Sequence, residues 1–206
     1  MGRPVKFRKA IYDAASQLFG ERGLEGTSIR QIAELAGVSE AALYRHWKGK
    51  LDLAWEIFRS GLTDLHDNLE TEVNLERGPY EAIRTAVRCF YQLFDDNYQL
   101  FRFVLLHQHN LWSRMDTVEK SPVAFWFLLM NHFAQRMPEE EKQHPEVMAA
   151  VTLGVVLQPA VAAVYGTQQA PMVDQADLVA RAVCRVLHID EQEQLASANH
   201  PTSAAK

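Results

Sequence analysis

Cysteine is scarce. Only Cys89 and Cys184 occur, and both fall inside apolar helical patterns. That suits buried small hydrophobes in a reducing cytosol better than a disulfide framework. Glycine and proline number ten and eight, and most sit between periodic segments. No stretch alternates apolar and polar residues at strand period, which leaves an all-α class. The N-terminal MGRPVKFRK is basic, but no apolar core follows it, so a signal peptide is not expected. Nucleophile elbow, P-loop, dinucleotide fingerprint and zinc-ligand spacing are all missing, which argues against an enzyme and against a bound metal or cofactor. His107 and His109 do not repair this, because residues two apart do not share a helix face.

What is present centres on residues 27–50, TSIRQIAELAGVSEAALYRHWKGK. Thr27 and Ser28 are N-cap residue types before an apolar run. Ile29, Ile32, Ala33 and Ala36 recur at helical spacing, with Arg30, Gln31 and Glu34 opposite. Gly37 is suited to end that helix in a left-handed conformation. Ser39 then opens a second helix, in which Leu43 and Trp47 face inward and Glu40, Ala41, Tyr44 and Arg45 stay outside. Two short helices on a tight turn, with Ala41 and Ala42 keeping the second slim, have the layout of a helix-turn-helix suited to a major groove. Charge follows the same division. Residues 1–50 carry nine Lys and Arg against five Asp and Glu, a net of +4. Residues 51–206 carry twelve against twenty-one, a net of −9, and together these make the chain's −5. One end is built to meet phosphate and the other is not.

The string Thr27, Ile32-Ala33, Ala36-Gly37-Val38-Ser39, Leu43-Tyr44, His46-Trp47 and Lys50 closely resembles the DNA-binding signature of TetR-family transcriptional regulators. Trp47 stands where Phe is usual, and Ala41 where Gly is frequent. The resemblance is detailed from Lys6 to about Leu53 and only architectural beyond. It implies a three-helix DNA-binding domain over 1–50 with its recognition motif at 28–47 and an effector-binding and dimerisation domain over 51–190, while the polar, small composition beyond Asp190 reads as a flexible tail over 191–206. About nine helices are expected in all. It also implies that the start of the fourth helix, at Lys50, touches the DNA backbone, and that Tyr44 and His46 donate to phosphates. Arg3 and Lys6 belong to a basic arm that can reach phosphate or minor groove. The candidate DNA-contacting set is Arg3, Lys6, Thr27, Ser28, Ser39, Glu40, Ala41, Ala42, Tyr44, Arg45, His46 and Lys50. Within it Ala41, Ala42 and Arg45 are expected on the groove floor, with Arg45 offering two parallel donors to a guanine edge.

Downstream, helices are expected over 6–21, 50–76, 79–95, from Tyr98, and over 122–136. Asp95-Asp96-Asn97 reads as a turn, and 137–145 as an acidic loop. Residues 90–133 hold eleven of the chain's twenty aromatics. Such clustering either lines a cavity for an apolar or aromatic ligand or packs a plain core. The candidate effector set is Phe94, Phe101, Val104, His107, Trp112, Trp126 and Asn131. From Val147 to Val173 no residue is charged. A membrane span is disfavoured by Pro159 near the middle and by flanking Glu146 and Asp174, and an oligomer helix explains the run better. Helices around 146–166 and 174–189 resemble the family's four-helix dimer interface, with Val155, Val164, Val179, Val183 and Val186 as candidate contacts. The implied protein is a cytoplasmic homodimeric repressor on a palindromic operator, with half-sites roughly 34–36 Å apart for one helical turn. A small apolar or aromatic effector would release it. A helix-turn-helix protein without any effector is the alternative the sequence leaves open.

Overall fold

A computed structural model describes residues 3–111, 121–133, 139–142, 144–166 and 171–189. Among them every regular element is helical. The order is α1 (Arg3–Arg22), α2 (Ile29–Ala36), α3 (Glu40–Tyr44), α4 (Lys50–Glu72), α5 (Pro79–Asp96), α6 (Tyr98–Leu111), α7 (Pro122–Phe133), α8 (Glu139–Lys142), α9 (Pro145–Val164) and α10 (Ala176–Val186). Short 3₁₀ turns occupy Leu75–Arg77 and Met172–Gln175. The expected tail at 191–206 lies outside the described residues.

Packing divides the chain into two compact units that are not continuous in sequence. One comprises Met1–Asp64 with Asp96–Glu119, and the other Leu65–Asp95 with Lys120–Lys206. In the first, Ile11, Ala15 and Phe19 of α1 meet Ile29, Ile32 and Ala33 of α2, then Leu43 and Trp47, then Leu53, Ile57 and Phe58 of α4. The remaining wall comes from α6. Phe103 is fully buried, and its ring lies 5.1 Å from that of Phe19. Helix α1 approaches α6 closely at Gly20. A Cβ there would sit 2.7 Å from the Gln99 Oε1 and 3.0 Å from its carbonyl oxygen, so the approach needs glycine.

The second unit is tied together by polar groups from distant positions. The buried Tyr91 hydroxyl on α5 donates to the Val156 carbonyl of α9 at 2.9 Å. The Trp126 indole N–H of α7 donates to Thr152 Oγ1 at 3.1 Å. Arg84 on α5 bonds Asp177 of α10 at 2.8 Å. The Asp95 carboxylate accepts the N–H groups of Met172 and Val173 at 3.0 and 2.9 Å, capping the turn that leads into α10. On α4, His66 lies 3.3 Å from the Ser121 carbonyl at the start of α7.

Several boundaries differ from expectation for local reasons. Helix α1 begins at Arg3, with Pro4 in a first turn that needs no N–H from it. Helix α4 stops at Glu72 rather than 76, because the Asn74 side chain accepts from the Glu76 N–H and diverts the backbone into a 3₁₀ turn. Helix α5 runs through Asp96, leaving Asn97 to open α6 by accepting from the Phe101 N–H at 3.0 Å. The expected acidic loop contains the one-turn helix α8, closed by a 2.6 Å contact between Lys142 and Glu139. Helix α9 continues through Pro159.

Candidate nucleic-acid interface

The helix-turn-helix is assembled by short-range bonds that its residue types prescribe. Ser28 caps α2: its Oγ accepts from the Gln31 N–H at 3.3 Å, and the Gln31 side chain accepts from the Ser28 N–H at 2.9 Å. This reciprocal box satisfies donors that the first helical turn leaves unpaired. Thr27 has a different task. It is 3% exposed, and its hydroxyl is directed at the carbonyls of Leu18 and Gly23, at 3.1 and 2.8 Å. Expected among the DNA contacts, it is turned inward and fastens the start of α2 to the end of α1.

Gly37 closes α2 at φ 67, where its N–H reaches the carbonyls of Ala33 and Glu34. Val38 N–H follows onto Ala33 O at 3.0 Å. A Cβ on Gly37 would meet nothing within 4 Å, so the demand for glycine is one of backbone conformation alone. Gly37→Ala is therefore expected to lower stability by about 1 kcal/mol, the left-handed cost for an L-residue. Thermal unfolding checks this, and an unchanged or raised midpoint would contradict it.

Ser39 caps α3 by accepting the Ala42 N–H at 3.2 Å. The helix itself covers only Glu40–Tyr44. Its turn persists beyond, because the Trp47 N–H still bonds the Leu43 carbonyl at 3.0 Å. Leu43 and Trp47 are buried, at 0% and 2% exposure, and Ala42 joins them at 5%. Ala42 thus leaves the groove-floor set, since the neighbouring packing covers it. Glu40, Ala41, Tyr44, Arg45 and His46 are exposed, as are Lys6, Ser28 and Ser39. The His46 ring lies 5.6 Å from that of Phe7 on α1. Arg45 makes no hydrogen bond or ion pair among the described residues, so its guanidinium is available. Lys50 Nζ donates to the Leu24 carbonyl at 2.8 Å and lies 3.5 Å from Glu25, tying α4 to the α1–α2 loop, while its side chain keeps 27% exposure. The Arg3 side chain lies outside the described residues.

One part-buried constellation escaped the sequence reading. The Glu56 carboxylate on α4 accepts the Trp47 indole N–H at 2.6 Å and the Tyr12 hydroxyl of α1. It also pairs with the Arg8 guanidinium at 3.1 Å, and Arg8 lies over the Trp47 ring, 5.8 Å from its centroid. Burial, and then the bond to Glu56, push the Tyr12 hydroxyl well above the usual phenol range, so it remains a donor. A buried indole N–H needs some acceptor. No rule of spacing names which carboxylate supplies it.

The effector candidates are divided between the two units. Phe101 and Val104 belong to the first unit, Phe94 and Trp126 to the second. Phe94, Phe101 and Trp126 are buried, Val104 is half-buried against the first core, and Asn131 is exposed. The His107 side chain and Trp112 lie outside the described residues. Of the dimer candidates, Val155, Val164 and Val186 are half-buried, while Val179 and Val183, at 6% and 0% exposure, are enclosed by the chain's own packing. Among the described residues no three His, Cys, Asp or Glu side chains are grouped to hold a metal ion.

Residues 11–57 match the family model described as bacterial regulatory proteins, tetR family. The chain is 28% identical over 119 residues to the HTH-type transcriptional regulator AcrR of Shigella flexneri, covering 55% of this chain and 54% of that protein. It is 43% identical over 58 residues to the HTH-type transcriptional repressor KstR2 of Rhodococcus jostii, covering 28% of each. The matched region thus spans about half the length of the first relative and less of the second. Among solved structures it resembles the transcriptional regulator FadR from Bacillus subtilis in complex with stearoyl-CoA, with a TM-score of 0.75 at 16% identity over 85% of this chain and 96% of that one.

Proposed function

We propose that this chain, which belongs to the TetR family of bacterial regulatory proteins, is a sequence-specific DNA-binding transcriptional regulator that acts as a repressor in the cytoplasm. The observation that carries the reading is the division of α3. Ala42, Leu43 and Trp47 fix one side to the core, and Glu40, Ala41, Tyr44 and Arg45 are left to solvent. A buried side fixes the helix's rotation, and the exposed side then offers a defined set of groups to base edges. Arg45 is the reader, with two parallel donors for guanine O6 and N7. Tyr44, His46 and Lys6 supply phosphate contacts that position without reading.

The test is Arg45→Ala against a library of duplex variants, built on the sequence the wild-type protein selects from random DNA. Affinity should fall by about 1–3 kcal/mol, with relaxed preference at one base pair per half-site. An even loss across all variants would assign Arg45 to phosphate, and a wild type without preference would overturn the reading.

The proposal extends to a homodimer on a palindromic operator. Helix α9 is long and apolar enough to cross a membrane by length and composition, yet only 22% of its most apolar window is buried within the chain. Its Val147, Val151, Gly154 and Gln158, with Tyr165 just past its end, form one exposed stripe, and Leu178 of α10 is 58% exposed. An apolar surface of this kind asks for a cover, and a second copy of the same stripe supplies it. Release by a small apolar or aromatic effector is supported by the aromatic excess over 90–133 and by the stearoyl-CoA bound to the fold's relative. Such a ligand would act by its differential affinity for the two states.

A further inference from the structure

Glu56 joins three elements on which the orientation of α3 depends. Its carboxylate takes a proton donor from α1 (Tyr12), one from the segment that closes α3 (Trp47), and a guanidinium from α1 (Arg8), while α4 carries it. The Glu56 side chain is 24% exposed and Arg8 54%. The Trp47 backbone N–H bonds the Leu43 carbonyl, which ties the residue carrying the ring to the recognition helix. The indole N–H then sets where that helix points, because a buried donor that loses its acceptor costs far more than the bond contributed. Arg8 differs from its neighbour Lys6, for which no ion pair is seen among the described residues: it is held over the Trp47 ring and neutralised by Glu56.

We infer that Glu56 is a positioning residue for sequence discrimination. Through the Trp47 indole it holds α3 in the orientation that reads bases, and by pairing with Arg8 it withholds one cation from indiscriminate phosphate binding. This rests on the chain being a DNA-binding regulator.

The experiment measures binding of full-length protein to two duplexes, the sequence selected by the wild type and a scrambled version, over a range of salt. Glu56→Leu removes the acceptor and the charge. It should lower the ratio of selected to scrambled affinity at least tenfold. Glu56→Gln keeps an oxygen for the indole and should retain most of that ratio. By freeing Arg8 it should strengthen scrambled-DNA binding and steepen the salt dependence by about one unit, the slope of one added phosphate contact. Trp47→Phe, added to Glu56→Leu, removes the stranded donor and should restore part of the ratio. A role in folding alone would weaken both duplexes in parallel and leave the slope unchanged, and that result overturns the inference. So does a ratio in Glu56→Leu within twofold of wild type. Should Glu56→Leu fail to fold, the salt slope of Glu56→Gln decides alone, an unchanged slope counting against. A wild type that prefers neither duplex removes the sequence-specific reading itself, which is a distinct failure.

Discussion

Val151→Arg on α9 should yield a folded monomer that binds the selected duplex some 10²–10⁴-fold more weakly, the loss that follows when a second linked site can no longer engage. Val151 is 47% exposed and lies in the stripe with Val147, Gly154 and Gln158. An arginine there keeps its charge in water in the monomer, so the fold is spared. In the proposed two-fold interface each arginine would be pressed against the partner's apolar stripe, and a desolvated, unpaired charge in an apolar contact is strongly disfavoured. Val183 is the wrong place for this test. It is fully buried within the chain, and an arginine there would report on folding. Light scattering at micromolar concentration measures the mass, and circular dichroism checks the helices. A dimeric mass for Val151→Arg would remove this face as the interface. A monomer with unchanged operator affinity would leave the interface standing and sink the two-half-site mode of binding.

Phe103→Ala should cost the protein about 3–5 kcal/mol, the range for truncating a fully enclosed aromatic ring. Phe103 is on α6, and it fills the core that α1, α2, Leu43, Trp47 and α4 surround. Its loss leaves a void against Phe19, 5.1 Å away between ring centroids. The orientation of α3 depends on that core, so DNA binding should fall at temperatures where the wild type is still fully bound. Urea unfolding followed by tryptophan fluorescence and by far-ultraviolet circular dichroism gives the stability. The two probes separate if the two compact units unfold independently. Leu128→Ala is the control: Leu128 is 70% exposed, so a change within about 0.5 kcal/mol is expected. A loss under about 1 kcal/mol for Phe103→Ala would mean that α6 is not a structural wall of the N-terminal unit.

Short-range residue patterns suffice for the local grammar of this protein. Ser28 with Gln31, Gly37 at positive φ, Ser39 before Ala42, and the inward pair Leu43 and Trp47 act over three or four residues, within the reach of one helical turn. Residue type and spacing are enough to place them. The all-helical class and the slim, exposed Ala41-Tyr44-Arg45 face were legible for the same reason. Contacts between segments distant in the chain settle the remainder. Thr27 and Lys50 look like surface polar residues in sequence, yet each donates to a carbonyl of the α1–α2 region, and the Lys50 partner Leu24 is 26 residues away. The aromatic excess over 90–133 held no sign that Phe103 would complete the N-terminal core while Phe94 and Trp126 joined the other unit. Glu56 is one carboxylate among twenty-six acidic residues. Its selection as the acceptor for Trp47 and Tyr12 depends on how α1 and α4 cross, because a hydrogen bond acts over about 3 Å in space and is indifferent to separation along the chain.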